Sequence, residues 1–220
     1  GTAILLLGFL LGGITYYTLG RITGQSKSLP NAFAPNVPII HHRSPDFVPV
    51  IDSAKKGLQW LYQTKNDVLI ICSTGTGGMV GTVNNFFNRD DKVLVINGGK
   101  FGERWTNICR AYGLNVEEIV VEWGYTVKPE VVEEKLKKDK DIKGVFVQAT
   151  ETSTGVYHDI KALASVVKKY SDTLFVVDAI SALVAHDLRT DEWAIDVMIG
   201  GSQKGVMLPP GLAFVSVSDK

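Results

Sequence analysis

Three short segments with chemically useful residues each follow an apolar run that is typical of a buried β-strand. The glycine-rich segment 73–78 (Ser-Thr-Gly-Thr-Gly-Gly) follows the run 67–72, Asp178 closes a second run, and Lys204 comes shortly after a third. In open α/β sheets, ligands bind beyond the carboxyl ends of the parallel strands. If these runs are parallel strands, a phosphate-binding turn, a carboxylate and an amine would meet at one edge of a sheet.

The glycine-rich segment lies between an expected strand and an expected helix over 79–87. Free backbone N–H groups and the helix dipole favour a phosphate at such a position. A tight strand-to-helix turn that binds nothing is an alternative. A dinucleotide site is another, because Gly75-x-Gly77-x-x-x-Gly81 is close to the Rossmann spacing. The next strand ends at Ile96-Asn97 without an acidic residue to bind a ribose, and no P-loop lysine is present, so the dinucleotide site is disfavoured.

Asp178 and Lys204 are the two charged residues whose surroundings are unusual. Asp178 ends the apolar run Leu174 to Val177, where a carboxylate needs a cation or hydrogen-bond donors to offset its desolvation. Lys204 follows small residues at the end of another apolar run. The alternatives are an Asp that caps the next helix and a solvated loop lysine. Together with a phosphate-binding turn, the two residues fit pyridoxal 5′-phosphate, which needs an anchored phosphate, a carboxylate at its pyridinium nitrogen and an amine that binds it covalently.

The rest of the chain alternates expected strands and helices, which predicts an α/β fold with a mainly parallel sheet and helices on both faces. Strands are expected at 67–72, 92–96, 116–121, 144–148, 174–178, 197–200 and 212–217, and helices at 53–63, 79–87, 102–112, 129–138 and 159–170.

Composition narrows the classes of function. The 220 residues are 45% hydrophobic and 21% charged, and 23 basic residues balance 23 acidic ones. A balanced charge disfavours nucleic acid as a partner and favours a small molecule. Cys72 and Cys109 cannot form a metal-ligand set by themselves, so we expect no metal site and a reducing compartment, the cytoplasm.

Three regions are expected along the chain: an apolar leader over 1–23, an N-terminal arm or linker over 24–49 and a cofactor-binding domain over 50–220. Residues 1–20 carry no charged side chain and as a helix would be about 30 Å long, enough to cross a bilayer. A membrane anchor is therefore one interpretation of the leader, and a buried helix is the other. The arm holds five of the eight prolines.

Several motifs, in the same order along the chain, closely resemble class V pyridoxal-phosphate aminotransferases of the alanine–glyoxylate and serine–glyoxylate (serine–pyruvate) group. The resemblance covers about residues 38–220, and the motifs are 39–47 (Ile-Ile-His-His-Arg-Ser-Pro-Asp-Phe), 97–104 (Asn-Gly-Gly-Lys-Phe-Gly-Glu-Arg), 150–156 (Thr-Glu-Thr-Ser-Thr-Gly-Val), 177–181 (Val-Asp-Ala-Ile-Ser) and 200–211 (Gly-Gly-Ser-Gln-Lys-Gly-Val-Met-Leu-Pro-Pro-Gly).

The resemblance implies two catalytic residues and a phosphate site. Lys204 would bind the cofactor covalently and move the proton between the substrate α-carbon and the cofactor, and Asp178 would pair with the pyridinium nitrogen. The phosphate would contact Thr76, Gly77, Gly78 and Gln203. Gly78 stands where some members carry His, which removes one side-chain donor.

The resemblance also implies two residues around the pyridine ring. Phe101 stands where the family usually stacks an aromatic side chain, often Trp, on the ring, and Ser153 corresponds to the residue that reaches the cofactor 3′-oxygen. Phe keeps the aromatic face of Trp and lacks the indole N–H.

By resemblance, the chain is the large domain of a type I pyridoxal-phosphate enzyme, a homodimer that transfers an amino group between alanine or serine and glyoxylate or pyruvate. The rest of the large domain and a C-terminal small domain, with the Arg that binds the substrate carboxylate, would follow residue 220. The chain alone is therefore expected to transaminate poorly. The alternatives are a membrane-tethered, catalytically incomplete α/β module that acts by binding, and a nucleotide-dependent oxidoreductase. An organellar location is the alternative to the cytoplasm.

Overall fold

The computed structural model describes residues 41–220, in two compact units that divide the chain between residues 62 and 63. The expected leader over 1–23 and the arm up to residue 40 lie outside the described residues. In the first unit, a 3₁₀ turn at Pro45–Phe47 leads into helix α1, Val48–Tyr62. We expected this helix to begin at Ser53. It begins earlier because Pro49 lies in its first turn, where a missing N–H removes no helical hydrogen bond.

The second unit alternates strands and helices as the sequence predicts. Its strands are β1 (Val68–Cys72), β2 (Lys92–Asn97), β3 (Asn115–Val120), β4 (Ile142–Gln148), β5 (Thr150–Glu151), β6 (Val156–Tyr157), β7 (Leu174–Asp178), β8 (Val197–Gly201) and β9 (Leu212–Val217). Its helices are α2 (Gly75–Phe86), α3 (Lys100–Ala111), α4 (Pro129–Lys138), α5 (Ile160–Val167) and α6 (Thr190–Trp193). The hairpin of β5 and β6 and the short helix α6 were not expected, since segments of two to four residues carry no periodic pattern.

Seven strands form one sheet in the order β1-β9-β8-β7-β4-β2-β3. The run from β8 to β3 is parallel, and β9 is antiparallel to both of its neighbours. The expected mainly parallel sheet is therefore confirmed. The carboxyl ends of β8, β7, β4 and β2 lie at the same edge of the sheet, which is where Asp178 ends β7.

Helices cover both faces of the sheet. Helices α2 and α3 pack on one face through Met79, Val83, Trp105 and Cys109, which share one core with alternate residues of the strands. The intervening strand residues face the other side, and they are also buried, as at Leu94, Ile96, Val145, Val147 and Val177. Helices α4 and α5 pack against each other, and α5 contacts β7. Among residues 41–220, no helix has the length and apolar character needed to cross a membrane.

Helix α2 shows one clear difference from the sequence prediction. The glycine-rich segment was expected to be a loop that ends at Gly78, but its last four residues form the first turn of α2. The reason is the cap: the Thr74 hydroxyl accepts a hydrogen bond from the Gly77 N–H at 3.3 Å, which starts the helix at Gly75.

Candidate active site

The beginning of α2 meets the segments that follow β7 and β8. A Cβ added to Gly75 would collide with the Ile180 side chain, and one added to Gly201 would lie 3.4 Å from Cγ2 of Ile180. Ile180 follows Asp178 by two residues, and Gly201 precedes Lys204 by three. The three segments predicted from the sequence to share a site therefore converge on one residue, Ile180.

Asp178 is a buried carboxylate without a cationic partner. It is the last residue of β7 and 5% exposed, and its Oδ1 accepts a hydrogen bond from the Ile180 N–H at 2.8 Å. Within residues 41–220, no Lys, Arg or His lies within salt-bridge distance of it. Burial raises the pKa of Asp178 to about 6, and the nearby Glu151 charge adds to the rise. A protonated ring nitrogen beside Asp178 would supply the missing positive charge, so this residue fits pyridoxal 5′-phosphate.

The first turn of α2 offers N–H groups to an anion, but not all from the residues expected. The N–H of Gly77 is bound by the Thr74 hydroxyl, and that of Gly78 donates to the Thr74 carbonyl at 3.1 Å. The N–H groups of Gly75 and Thr76, the first two of the helix, have no partner among the described residues. These two groups are the better candidates for a phosphate, and the roles of Gly77 and Gly78 stay predictions.

Gly78 has a second role that the sequence did not reveal. A Cβ at this position would lie 2.9 Å from Cγ2 of Ile199 and 3.3 Å from Cβ of Ala213, both in the sheet. Glycine here lets α2 approach β8 and β9 closely. A side chain at residue 78 would point at the sheet in this structure, so the His that some family members carry at this position would not fit at the present spacing.

Lys204 lies in the turn after β8, with its side chain exposed. Its carbonyl accepts a hydrogen bond from the Met207 N–H at 2.9 Å. The Ser202 hydroxyl holds the base of the loop, because it donates to the Pro209 carbonyl at 2.6 Å. The positive charge of Lys204 acts to lower the pKa of Asp178, so the amine lies within electrostatic reach of that carboxylate. Gln203, the other predicted contact in this turn, is also exposed.

Phe101 and Ser153 are held together by a residue that the sequence did not single out. Glu151, the last residue of β5, is fully buried. Its Oε2 accepts hydrogen bonds from the N–H groups of Phe101 at 3.1 Å and Gly102 at 3.0 Å. Its Oε1 accepts from the Ser153 hydroxyl at 2.6 Å. The two residues expected at the cofactor ring thus share one carboxylate.

Arg104 is a second residue without an expected role. Its Nη1 donates to the Thr76 hydroxyl at 3.0 Å, and its guanidinium carbon lies 4.7 Å from the centre of the Phe101 ring. It has no carboxylate partner within the described part of the chain. Its charge acts to lower the pKa of Asp178. Arg104 therefore adds positive charge beside the first turn of α2, where a phosphate is expected.

Comparisons with known proteins give the family of the chain. The class V aminotransferase family model matches residues 29–220. Curated relatives include a soluble hydrogenase 42 kDa subunit from Anabaena cylindrica, 44% identical over 82% of this chain and 48% of the relative. Another is an L-aspartate–glyoxylate aminotransferase from Paracoccus denitrificans, 40% identical over 85% of this chain and 48% of the relative.

A solved structure shares the fold. The ureidoglycine–glyoxylate aminotransferase from Bacillus subtilis superposes with a TM-score of 0.80 and is 33% identical, over 84% of this chain and 47% of that protein. The chain spans about half the length of the curated relatives it matches. Because the family model matches most of the chain and the fold agrees, the chain belongs to the class V aminotransferase family.

Proposed function

We propose that the chain is the cofactor-binding part of a pyridoxal-phosphate-dependent aminotransferase. The observation that carries the proposal is Asp178, a buried carboxylate that forms no salt bridge with any residue of 41–220. It lies at the sheet edge where the Lys204 turn and the start of α2 converge. Membership of class V, whose members are in general pyridoxal-phosphate enzymes, supports the same conclusion.

Each end of the cofactor would meet residues of complementary charge. The phosphate would lie at the first turn of α2, against the N–H groups of Gly75 and Thr76 and near Arg104. The protonated ring nitrogen would pair with Asp178. Phe101 would contact the ring.

Gln203 would be a further phosphate ligand, and Ser153 would lie near the 3′-oxygen. Ser153 has one hydroxyl proton, which it donates to Glu151 in this structure. Its contact with the 3′-oxygen would therefore use a lone pair of the hydroxyl, or would require the hydroxyl to turn away from Glu151.

When bound, pyridoxal 5′-phosphate supplies an electron sink for the pair left behind as the substrate Cα–H bond breaks. The chain supplies the proton transfers. With the cofactor bound, the Nζ of Lys204 would move the proton between the substrate α-carbon and the cofactor. Asp178 would stay ionised beside the ring nitrogen and would hold that nitrogen in its protonated form.

For substrates, we propose alanine or serine as amino donor and glyoxylate or pyruvate as acceptor. The relative from Paracoccus denitrificans and the structural neighbour from Bacillus subtilis are both named for glyoxylate. Serine as donor agrees with the name of a relative from Hyphomicrobium methylovorum, a serine–glyoxylate aminotransferase. Alanine agrees with the name of a structural neighbour from Nostoc, an alanine–glyoxylate aminotransferase. We also propose that the complete protein is a homodimer.

Covalent trapping tests the proposal. The 220-residue chain is incubated with pyridoxal 5′-phosphate, reduced with borohydride and digested, and the pyridoxyl group is located by peptide mapping. We expect it on Lys204, with no label there in Lys204→Ala. Lys100, an exposed lysine at the start of α3, is the natural competitor. A label on Lys100, or no label on any lysine, would contradict the proposal.

Donors and acceptors are then compared on a separate sample of the cofactor-loaded chain that has not been reduced. Alanine and serine are each added to the cofactor-loaded chain, and the change of the visible absorption band is followed before and after glyoxylate or pyruvate. Because the chain alone is expected to transaminate poorly, we expect the band to be lost only slowly with the donor and restored only slowly by the acceptor. Aspartate serves as the comparison donor, because one curated relative is named for it.

A further inference from the structure

Glu151 is a fully buried carboxylate that binds several donors and, among the described residues, no cation. Its acceptor bonds come from the N–H groups of Phe101, Gly102 and Ser153 and from the Ser153 hydroxyl. Over residues 41–220, no Lys, Arg or His forms a salt bridge with it. The N-terminal end of α3 supplies the favourable electrostatic field instead. All four groups are donors, and the two carboxylate oxygens of Glu151 have enough lone pairs to accept all four bonds.

The hydrogen bonds around Glu151 form a closed ring. The Lys100 N–H donates to the Ser153 hydroxyl at 3.0 Å, and that hydroxyl donates to Glu151. Glu151 also accepts from the N–H of Phe101, the residue that follows Lys100 in α3, and this bond closes the ring. Gly99 leaves space for this ring, because a Cβ there would lie 2.5 Å from the Ser153 hydroxyl and 2.6 Å from the Glu151 carboxyl carbon.

Capping α3 alone would not need this arrangement. A capping residue binds the N–H groups of its own helix, but Glu151 lies about fifty residues further along the chain and also binds Ser153. The carboxylate therefore fixes Ser153, from the β5–β6 hairpin, relative to Phe101, from α3. A site binds a planar ring in one orientation only if the residues that contact the ring are held at a fixed distance from each other.

We infer that Glu151 is a positioning residue, which sets the distance between Phe101 and Ser153 and thereby the position of the cofactor ring. The inference rests on the proposed function, since Phe101 and Ser153 matter in this way only if the ring lies between or beside them. Glu151 itself does not touch the reacting atoms in this role.

Two substitutions of Glu151 separate the effect of its charge from the effect of its side-chain length. Glu151→Gln keeps the shape but replaces one acceptor oxygen by an NH₂ group that faces N–H donors, so bonds on that side are lost. Glu151→Asp keeps the charge and shortens the side chain by one methylene. Glu103→Gln is the matched control, because Glu103 lies in the first turn of α3, which Glu151 contacts, and its substitution removes the same charge from a surface ion pair with Lys100.

The experiment measures binding and ring orientation rather than turnover. Pyridoxal 5′-phosphate is titrated into each chain under conditions where urea curves show that the cofactor-free protein is folded. The visible circular dichroism of the bound cofactor reports how the ring is held. We expect Glu151→Gln to bind about tenfold to hundredfold more weakly and to lose most of the dichroic band. Glu151→Asp should recover part of both, and Glu103→Gln should match the wild type.

The outcomes distinguish a failure of the proposed function from a failure of the positioning role of Glu151. If the wild type shows no visible band and no trapped lysine, the proposed function fails. If the wild type binds and folded Glu151→Gln has the same affinity and dichroism, the positioning role is wrong while the function stands. If Glu151→Gln does not fold, Glu151→Asp decides: wild-type dichroism despite the shorter side chain would also refute the inference.

Discussion

Replacing Asp178 by Asn should stabilise the cofactor-free chain at neutral pH while it weakens cofactor binding. The pKa of Asp178 is about 6 in the fold, against 3.8 for an unperturbed Asp. Because the folded-state pKa is raised, the folded chain binds this proton more tightly than the unfolded chain, and stability is lost as pH rises from about 4 to 6. The difference between the two pKa values corresponds to about 3 kcal/mol above that window.

The side chain of Asn has nearly the shape of Asp and carries no charge. Its Oδ1 can still accept the Ile180 N–H, so the local hydrogen bond survives. We therefore expect Asp178→Asn to raise the free energy of unfolding by up to about 3 kcal/mol near pH 7.5, and by about 2 kcal/mol less near pH 4.5.

The wild-type pH profile alone would conceal this effect. Burial lowers the pKa of His158 from 6.5 to about 4, so this residue adds stability that is lost as pH falls from about 6.5 to 4. The two residues act in opposite directions over nearly the same range. The difference between wild type and Asp178→Asn at each pH isolates the carboxylate.

Urea unfolding of the cofactor-free chain provides the assay, followed by circular dichroism at several pH values between about 4.5 and 7.5. Asp172→Asn is the control, since it makes the same chemical change at an exposed site. A pH-independent difference between wild type and Asp178→Asn, or a destabilised variant at pH 7.5, would refute the reasoning. With pyridoxal 5′-phosphate bound, the order of stability should reverse, because only Asp178 can pair with the ring nitrogen.

Three further predictions use the described contacts. Gly78→Ala should destabilise the fold by about 1–3 kcal/mol in urea unfolding, because the new methyl group would press on the sheet. Gly81 has open space around it, so Gly81→Ala should stabilise the fold by up to about 1 kcal/mol. Equal effects of the two substitutions would contradict the packing argument. The imidazole of His158 should stay neutral down to about pH 4 in an NMR titration, and a midpoint near 6.5 would show that it is not buried as described. Arg104→Met should weaken binding of pyridoxal 5′-phosphate more than binding of pyridoxal, and equal losses would place Arg104 away from the phosphate.

The strands that carry the candidate catalytic residues were predictable, since their apolar runs are long and end in abrupt changes of residue type. Asp178 and Lys204 stand out because each lies at or shortly after the carboxyl end of an apolar run, where ligands bind in α/β sheets. The direction of β9 could also have been deduced. Only ten residues, without a helix, join β8 to β9, and a parallel partner needs a longer crossover.

The helix starts were less predictable, and α2 shows why. Three glycines in four residues have low helix propensity, so the sequence favours a loop. The Thr74 cap and tertiary packing override that preference, because the helix that begins at Gly75 packs Gly75 against Ile180 and Gly78 against Ile199. The same glycines that look like a binding loop are therefore also a packing surface.

Glu151 and Arg104 could not have been found from residue patterns, because of the nature of their partners. Glu151 binds mainly backbone N–H groups, and every residue except proline has one, so nothing in the sequence marks Phe101 and Gly102 as its partners. Arg104 reaches a threonine hydroxyl 28 residues away. Asp178 and Lys204 differ in chemistry from the apolar and small residues beside them, and that difference can be read from a sequence. Residues that act by holding others differ only in where the fold places them, so their roles depend on coordinates.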